Sequence, residues 1–361
     1  MGPFTYWPTG YGFEHFYGFL AGETSQWEPR LVENTTAIEP PHDETYHLTE
    51  DMADKGIEWL KKHRAFSPDK PFLMYWAPGG VHGPHHVNEK WADKYKGKFD
   101  QGWDKLREEI FSRQKQTGWI PADTELTPRD PTMPSWVSIP EAERPFQTRL
   151  MELYAGFCEH TDAQVGKLLE ALDASPAADN TIIVFWGDHG WHLGEKEHWG
   201  KWTGWQRSTR VPLLIAPPRS GATAAFPRGA TCADPVGLID LYPTLIDTCG
   251  LAARPGLAGE SLVPLLKNPA AASDRHILTA FDAGNFAVTG PRWRYLRYAD
   301  GNEELYDSAN DPHEWTNLAG RPEHRAIQQA MAAKIPAVTA SPTDAAAPPA
   351  KSGRKKKNAA P

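Results

Sequence analysis

The sequence predicts an α/β fold, because apolar runs of strand length alternate with amphipathic helical segments. Three such runs lie at residues 72–77, 182–186 and 211–216, and runs of this kind are typical of strands buried on both faces. Segments 48–64 and 146–172 place apolar residues three and four positions apart, which predicts helices before the first two runs. Each of these two runs leads into a polar loop. Helix, strand and polar loop in this order favour an α/β protein.

The remaining elements follow in chain order from turn residues and charge patterns. Residues 1–47 are rich in Gly, Pro and aromatic side chains without a period, and predict an ordered layer of loops. A charged segment at 103–116 predicts another helix, and Pro243 begins a short helix that stops at Gly250. After residue 271, short strands and an Asp-Gly turn at 300–301 predict an antiparallel unit closed by a helix at 322–335.

Three regions of different composition predict the domain organisation. Residues 1–271 form the α/β domain, residues 272–336 form a small C-terminal antiparallel α+β domain, and residues 337–361 form a disordered basic tail. The tail is rich in Ala, Pro, Ser and Thr and cannot bury enough apolar surface to fold. Its basic run at 354–357 leaves a polyanion-binding arm as the alternative to a solvated tail.

Composition and charge exclude several classes of protein. The chain has 361 residues, of which 40% are hydrophobic and 23% are charged, as in ordinary globular proteins. A net charge of -8 with interleaved signs does not predict binding to nucleic acid. No apolar run reaches the roughly 20 residues that a membrane span needs, so no span is predicted. The three cysteines are far apart and indicate neither a disulfide framework nor a CxxC metal site.

Ionisable loops follow two of the predicted strands. The first loop contains His82, and the second contains Asp188 and His189 between two glycines. Because ligands bind beyond the carboxyl ends of strands in open parallel sheets, we expect these loops to converge. A carboxylate beside an imidazole suits a divalent cation, and His82 can donate a proton to a leaving group. Lys201, which lies among aromatic residues, can neutralise an anionic substrate.

Each of these residues also has a purely structural interpretation. Asp188 can cap the next helix beside an exposed His189, Lys201 can be a surface lysine, and His82 can be a hydrogen-bonded loop histidine. A zinc site is a further alternative, although the spacing of its ligands is not typical of zinc. Its ligands would be His82, His85, His86, Glu195 and His198.

Two other patterns have packing interpretations. Six of the fifteen tryptophans fall on these strands and loops, where they could stack on an aryl group or a sugar, but ordinary packing explains most aromatic residues. The alternation of Arg292, Arg294 and Arg297 predicts the solvent-facing side of a strand.

The longest composite pattern resembles the second half of a sulfatase. It consists of GDHGWHLGEKEHWGKWT at 187–203 and STRVPLLI at 208–215. Three segments resemble the arylsulfatase branch, namely FYGFLAGETSQW at 16–27, APGGVHGPH at 77–85 and YKGKFDQGWD at 95–104. The segment ELYDSANDPHEWTNL at 304–318 is similar to the family's C-terminal close. The resemblance runs from about residue 10 to residue 335.

The resemblance implies an alkaline-phosphatase-like sheet sandwiched by helices, with residues 1–271 as a sulfatase-type domain lacking its N-terminal part. It implies hydrolysis of a small-molecule or saccharide sulfate ester at Ca²⁺ or Mg²⁺. Asp188 and His189 would be metal ligands, with His189 at a position where many members carry Asn and others His. Lys201 would hold a sulfate oxygen, and His82 would lie near the leaving oxygen. A periplasmic or secreted location is also suggested.

One part of the family's machinery has no counterpart in this chain. Sulfatases use a formylglycine made from Cys or Ser in a C/S-x-P-x-R motif. None of Cys158, Cys232 and Cys249 begins such a motif, and Ser138 is followed by Ala142 where Arg is needed. The family's two consecutive N-terminal Asp ligands and its Lys-x-His segment are also missing, so we expect a truncated sulfatase. Such a chain would expose apolar surface on its sheet and would be inactive on its own.

Two other functions stay open at this point. A phosphate or phosphonate ester hydrolase of the same superfamily would use the same lysine and metal, because both anions are tetrahedral. A noncatalytic binding protein could keep the fold, and an in-frame C/S-x-P-x-R motif in the DNA upstream of Met1 would exclude that function. The sequence does not identify the ester, the physiological metal or the oligomeric state.

Overall fold

The computed structural model of the protein describes residues 2–337 except 119, 121, 127, 130–132, 194 and 272. Beyond residue 337, the predicted basic tail lies outside the described residues. The chain divides into two compact units between Thr181 and Ile182. The predicted domain boundary after residue 271 stays a prediction.

The first unit is mainly helical. Its helices are α1 (Leu48–Phe66), α2 (Glu89–Ala92), α3 (Gly102–Gln116) and α4 (Arg144–Asp173). A three-stranded antiparallel sheet is formed by β1 (Tyr17–Gly18), β2 (Leu31–Glu33) and β3 (Thr36–Ile38). The structure therefore confirms the predicted helices near 48–64, 103–116 and 146–172. The three short strands lie in the segment predicted to be loops, since two or three residues show no readable alternation.

The packing of α1 against α4 forms the centre of this unit. His47 caps α1 by accepting a hydrogen bond from the Thr49 amide at 3.2 Å, and two acidic residues in the first turn complement the helix dipole. Leu48 is completely buried against β2 and its neighbours. On the other helix, Phe157 is also completely buried and packs with Val87. These contacts give the loops that follow a rigid base.

The apolar run at 72–77 is not part of any strand, so that prediction is wrong. Its side chains nevertheless alternate, because Phe72, Met74 and Trp76 are half-buried whereas Leu73 and Tyr75 are 64% and 59% exposed. A strand requires a neighbour that accepts and donates its backbone hydrogen bonds. Within the described part of the chain no segment forms a ladder with this run, although its composition suits burial on both faces.

The second unit contains most of the sheet structure. Its strands are β4 (Ile183–Trp186), β5 (His192–Leu193), β6 (Trp199–Gly200), β7 (Leu213–Ala216), β8 (Ile277–Asp282), β9 (Asn285–Thr289), β10 (Trp293–Arg297) and β11 (Glu303–Asp307). Its helices are α5 (Gln206–Thr209), α6 (Leu241–Thr248), α7 (Val263–Lys267) and α8 (Arg325–Ala332). The predicted strands at 182–186 and 211–216, the helix before Gly250 and the closing helix are confirmed.

Strands β4 and β7 pair with each other, but they are antiparallel rather than the parallel neighbours expected of an open α/β sheet. Phe185 and Leu214 are partners in this ladder and are 50% and 58% exposed. The predicted apolar surface on the sheet is therefore confirmed at this pair.

The C-terminal part of the second unit is an antiparallel sheet with the order β11-β10-β9-β8. Gly301 has a φ of 89°, which the turn between β10 and β11 requires and which glycine adopts without strain. Tyr295 and Leu305 are completely buried under Met331 of α8. This agrees with the predicted antiparallel unit and its closing helix. None of the described helices is both long and apolar enough to cross a bilayer.

Candidate active site

The loop that carries His82 is held tightly against α4 in the first unit. A Cβ atom at Gly80 would lie 2.5 Å from Thr161 Oγ1 and 3.1 Å from the Phe157 ring. A Cβ atom at Gly79 would lie 2.7 Å from Gln26 Nε2. Only glycine permits this approach of the backbone, so the two glycines set the position of the loop.

His82 is exposed on this loop and keeps one ring nitrogen accessible. Its Nδ1 lies 2.7 Å from the Gly83 carbonyl oxygen and 3.6 Å from a carboxylate oxygen of Glu23. A carbonyl only accepts hydrogen bonds, so Nδ1 carries the proton and Nε2 is the nitrogen that exchanges protons. The neighbouring histidines have other partners: His85 packs on Tyr154, and His86 Nδ1 accepts from a backbone amide at 3.4 Å.

Asp188 and His189 lie side by side directly after β4 in the second unit. The Asp188 carboxylate is 84% exposed and accepts a hydrogen bond from the His189 amide at 3.0 Å. The second carboxylate oxygen lies 3.4 Å from His189 Nε2. His189 Nδ1 lies 2.9 Å from the Gly190 carbonyl, to which it donates. The predicted pair is therefore together, with its oxygen and nitrogen donors on one side of a tight turn.

Gly190 explains why the turn after this pair has its shape. A Cβ atom there would lie 1.9 Å from the Arg207 carbonyl oxygen, closer than any real side chain can come. The Gly190 amide donates to the Ser208 carbonyl at 2.8 Å. The loop of Asp188 is thus bonded directly to helix α5.

Lys201 follows the small hairpin formed by β5 and β6. Its carbonyl accepts a hydrogen bond from the Thr203 amide at 2.8 Å, and its Nζ lies 6.0 Å from the Trp202 ring centroid. Trp202 is 79% exposed and Trp191, near the other end of the hairpin, is 51% exposed. Among the residues whose side chains the structure describes, no ion pair with a carboxylate includes Lys201.

Ser208 connects the two loops of the second unit. Its carbonyl accepts from Gly190, and its hydroxyl lies 3.0 Å from the Thr203 hydroxyl. The Thr203 hydroxyl in turn lies 2.9 Å from Nε2 of His192, which is completely buried. Asp188, His189 and Lys201 are therefore carried by loops that share one buried anchor. Convergence of the His82 loop with them stays a prediction.

The metal expected from the sequence has only part of its donor set here. Asp188 and His189 are of the right chemical type, but Ca²⁺ takes six to eight ligands and Mg²⁺ about six. The described residues contain no group of three or more His, Cys, Asp or Glu side chains placed to hold a metal ion. The pair fits as a fragment of a coordination sphere and does not complete one.

Sequence reasoning missed the residues that hold these loops. Arg294 was expected on the solvent-facing side of a strand, but it is 3% exposed and forms an ion pair with Glu314 at 2.5 Å. The expectation was wrong because loop residues cover that face of β10: Arg294 Nη2 donates to the Gly204 carbonyl at 2.5 Å. Arg292 and Arg297 are more exposed, as predicted. A signal was the presence of Glu314 in the segment 304–318, which is similar to the family's C-terminal close.

Comparison with known proteins identifies the family of this chain. The sequence model of the sulfatase family matches residues 2–251, which is more than half of the chain. This chain belongs to the sulfatase family. A second model, described as the C-terminal part of N-sulphoglucosamine sulphohydrolase, matches residues 194–341. The two matches overlap on the hairpin and loops that carry Lys201.

Two curated relatives show how much of a sulfatase is present. A sulfatase of Formosa agariphila is 30% identical over 289 residues, which cover 80% of this chain and 54% of the relative. Arylsulfatase K of Mus musculus is 29% identical over 287 residues, which cover 74% of this chain and 49% of the relative. The chain spans about half the length of these relatives.

Two solved structures share the alkaline-phosphatase-like fold. One is a protein in complex with its substrate D-glucosamine-2-N,6-O-disulfate, with a TM-score of 0.62 and 18% identity over 89% of this chain and 75% of that one. The other is the phosphonate monoester hydrolase of Agrobacterium radiobacter, with a TM-score of 0.54 and 23% identity over 88% of this chain and 62% of that one. The predicted α/β fold class is confirmed.

Proposed function

We propose that this chain forms the sulfate-binding part of a sulfatase and that its substrate is a sulfate monoester. The observation that carries the proposal is the shared anchor of the two loops in the second unit. Ser208 bonds both the Asp188-His189 turn and the segment after Lys201. A sulfate ester spreads its negative charge over three oxygens of a tetrahedral group, so positive charge on more than one side stabilises it, and a lysine and a cation site attached to the same short helix meet this need.

Lys201 is the proposed ligand of a sulfate oxygen. Its ammonium has three hydrogen-bond donors and no acceptor, which suits the oxygens of an anionic ester. Exposure lowers the strength of any one ion pair in water, so the lysine needs the neighbouring cation to bind sulfate well. The exposed Trp202 ring next to it would exclude water from one side of a bound ester.

Asp188 and His189 are the proposed protein ligands of Ca²⁺ or Mg²⁺, together with donors outside this pair. Such an ion polarises the oxygens of a sulfate group when it is bound. Asp188 supplies the negative charge, and its carboxylate, which is 84% exposed, is accessible to an ion from solution. His189 is held by its hydrogen bond to the Gly190 carbonyl, so its Nε2 is the available nitrogen.

His82 is the proposed acid that donates a proton to the leaving oxygen, and its Nε2 is the atom that carries this proton. The chain contains no residue in a C/S-x-P-x-R motif to serve as nucleophile. Cys158 is not a substitute, because burial raises the pKa of its thiol and keeps it protonated at neutral pH. The 361-residue chain by itself is therefore expected to bind sulfate without turnover.

A saccharide sulfate is the proposed substrate, and a periplasmic or secreted location is proposed with it. Trp191 and Trp202, which flank Lys201, expose 51% and 79% of their surface, although packing was the expected role of most tryptophans. Exposed indole rings stack on the apolar faces of sugars. The fold relative solved with a disulfated glucosamine binds a ligand of this class.

Titration of the chain with sodium sulfate by calorimetry, with and without CaCl₂, tests the proposal. We expect sulfate binding that requires Ca²⁺ and that Lys201→Ala weakens at least tenfold, which corresponds to about 1.4 kcal/mol. Asp188→Asn removes a proposed metal ligand, so CaCl₂ should no longer increase the affinity of this variant for sulfate. Sulfate binding that is indifferent to both substitutions would contradict the assignment. Phosphate and methylphosphonate, used in parallel, decide between the sulfate and phosphate alternatives.

A further inference from the structure

Two of the three non-glycine residues with a left-handed backbone, among the described residues, contact each other. Lys196 has a φ of 57° and Glu314 has a φ of 60°. Lys196 Nζ donates a hydrogen bond of 2.6 Å to the Glu314 carbonyl. Residues other than glycine rarely adopt this conformation, because their Cβ atom crowds the backbone. It persists where the surrounding contacts hold the backbone in place. The contact between two such residues marks a segment whose backbone is held in place.

Lys196 occupies the turn between β5 and β6, five residues before Lys201. Its ammonium also donates to the Tyr306 hydroxyl at 2.8 Å and lies 4.3 Å from the Trp205 ring centroid. Trp205 Nε1 donates to Glu304 of β11 at 2.8 Å. The turn before Lys201 is thus bound to β11 through a cation, two aromatic rings and a carboxylate.

Arg294 and Glu314 bind the segment after Lys201. Arg294 Nη2 donates to the Gly204 carbonyl at 2.5 Å, and the Glu314 carboxylate accepts from the Gln206 amide at 2.7 Å. Both charged residues are at most 3% exposed and are paired with each other. A buried pair of this kind is costly to separate, so its bonds to the loop backbone are maintained.

We infer that Lys196, Arg294 and Glu314 form a positioning cluster that fixes the loop carrying Lys201 on the C-terminal antiparallel sheet. Lys201 lies between the two anchor points of this loop, at Lys196 and at Gly204. The inference rests on the proposed function for the role of Lys201 in binding sulfate. Its consequence is that sulfate affinity at Lys201 depends on three residues that do not touch the anion.

Hydrogen exchange of the intact chain tests the cluster without reference to activity. Lys196→Met removes the ammonium and keeps an apolar stem, and Glu314→Gln replaces the carboxylate with a group of the same shape. We expect amides at 200–209 to exchange at least tenfold faster in both variants, while amides of β9 and β10 stay protected. Arg292→Gln is the matched control, because it breaks an ion pair with Asp307 on the same sheet and leaves the loop bonds in place. Loop protection equal to wild type in Lys196→Met and Glu314→Gln would overturn the inference.

Sulfate titration in the presence of CaCl₂ then connects the cluster with binding. At a temperature where circular dichroism shows every variant folded, Lys196→Met should bind sulfate at least fivefold more weakly. Arg292→Gln should match wild type, and Lys196→Arg should restore part of the affinity. If wild type shows no sulfate binding that depends on Lys201, the proposed function fails, whereas the exchange data still decide on the cluster. Unchanged affinity in a Lys196→Met chain with a loosened loop would overturn the positioning role.

Discussion

Gly190→Ala provides a direct test of the turn that holds Asp188 and His189. The new Cβ would lie 1.9 Å from the Arg207 carbonyl oxygen, whereas ordinary contact begins at 3.4 Å. The loop or α5 must therefore move by about 1.5 Å, and overpacking of this kind costs about 2 to 3 kcal/mol. The hydrogen bond from the Gly190 amide to Ser208 would be strained by the same movement. We expect lower stability and weaker Ca²⁺ binding together.

Gly187→Ala is the matched control on the other side of the pair. Its Cβ would lie 3.6 Å from Val211 Cβ, which is ordinary contact. Neither glycine has a positive φ, so alanine is compatible with both backbones and the comparison isolates the steric effect. Because alanine restricts the unfolded chain, Gly187→Ala should be neutral or stabilising by about 0.5 kcal/mol. Urea unfolding followed by fluorescence measures both variants. A Gly190→Ala chain as stable as wild type would refute the reasoning.

Three further predictions concern pH and the exposed surface. Burial lowers the pKa of His47 to about 4, below its ordinary value of 6.5, so the unfolded chain binds more protons between these values. The free energy of unfolding should fall by up to about 3 kcal/mol as the pH drops through this range, and an NMR titration of the ring with a midpoint near 6.5 would contradict this. The hydrogen bonds from Arg292 lower the pKa of Asp307 to about 2. Their contribution to the free energy of unfolding is therefore fully present above pH 3.8 and is lost as the pH falls through 2. Since Arg292 is mostly exposed, Arg292→Gln should cost about 1 kcal/mol at pH 7 and clearly less at pH 2, where Asp307 is partly protonated, as urea unfolding at both values would show. Replacing Phe185 and Leu214 with Ser and Thr should reduce binding of a hydrophobic dye while changing stability by under about 0.5 kcal/mol, and unchanged dye binding would contradict exposure of this pair.

Helices were predictable because their apolar spacing is a local property of the chain. The apolar spacing over 146–172 predicts α4, observed at Arg144–Asp173. It did not predict which of these residues are buried, because Phe157 is completely buried whereas Phe146 is 63% exposed. The run at 72–77 was wrongly predicted to be a strand, because strand formation is not a local property. Its composition shows which side chains suit burial, but a ladder exists only if another segment provides the hydrogen bonds. The same limit explains why the antiparallel direction of β4 and β7 was missed.

The candidate site was predictable where its residues are adjacent in sequence. Asp188 and His189 follow a strand and lie between glycines, so their proximity needed no tertiary information. The positioning cluster was not predictable, because Lys196 lies 118 residues before Glu314 and Arg294 lies 90 residues after Gly204, whose carbonyl it binds. Arginine at alternate positions on a strand has the same pattern whether water or another loop covers that face.

The sequence by itself determined the fold class, the family and the local grouping of ionisable residues, because periodicity and short motifs are carried by neighbouring positions. The tertiary structure decided which strands have partners, which of three arginines is buried, and how the loop of Lys201 is held. All three features depend on contacts between residues that are far apart in sequence. A charged side chain such as Arg294 is buried only where a distant residue of opposite charge offsets the cost of removing it from water.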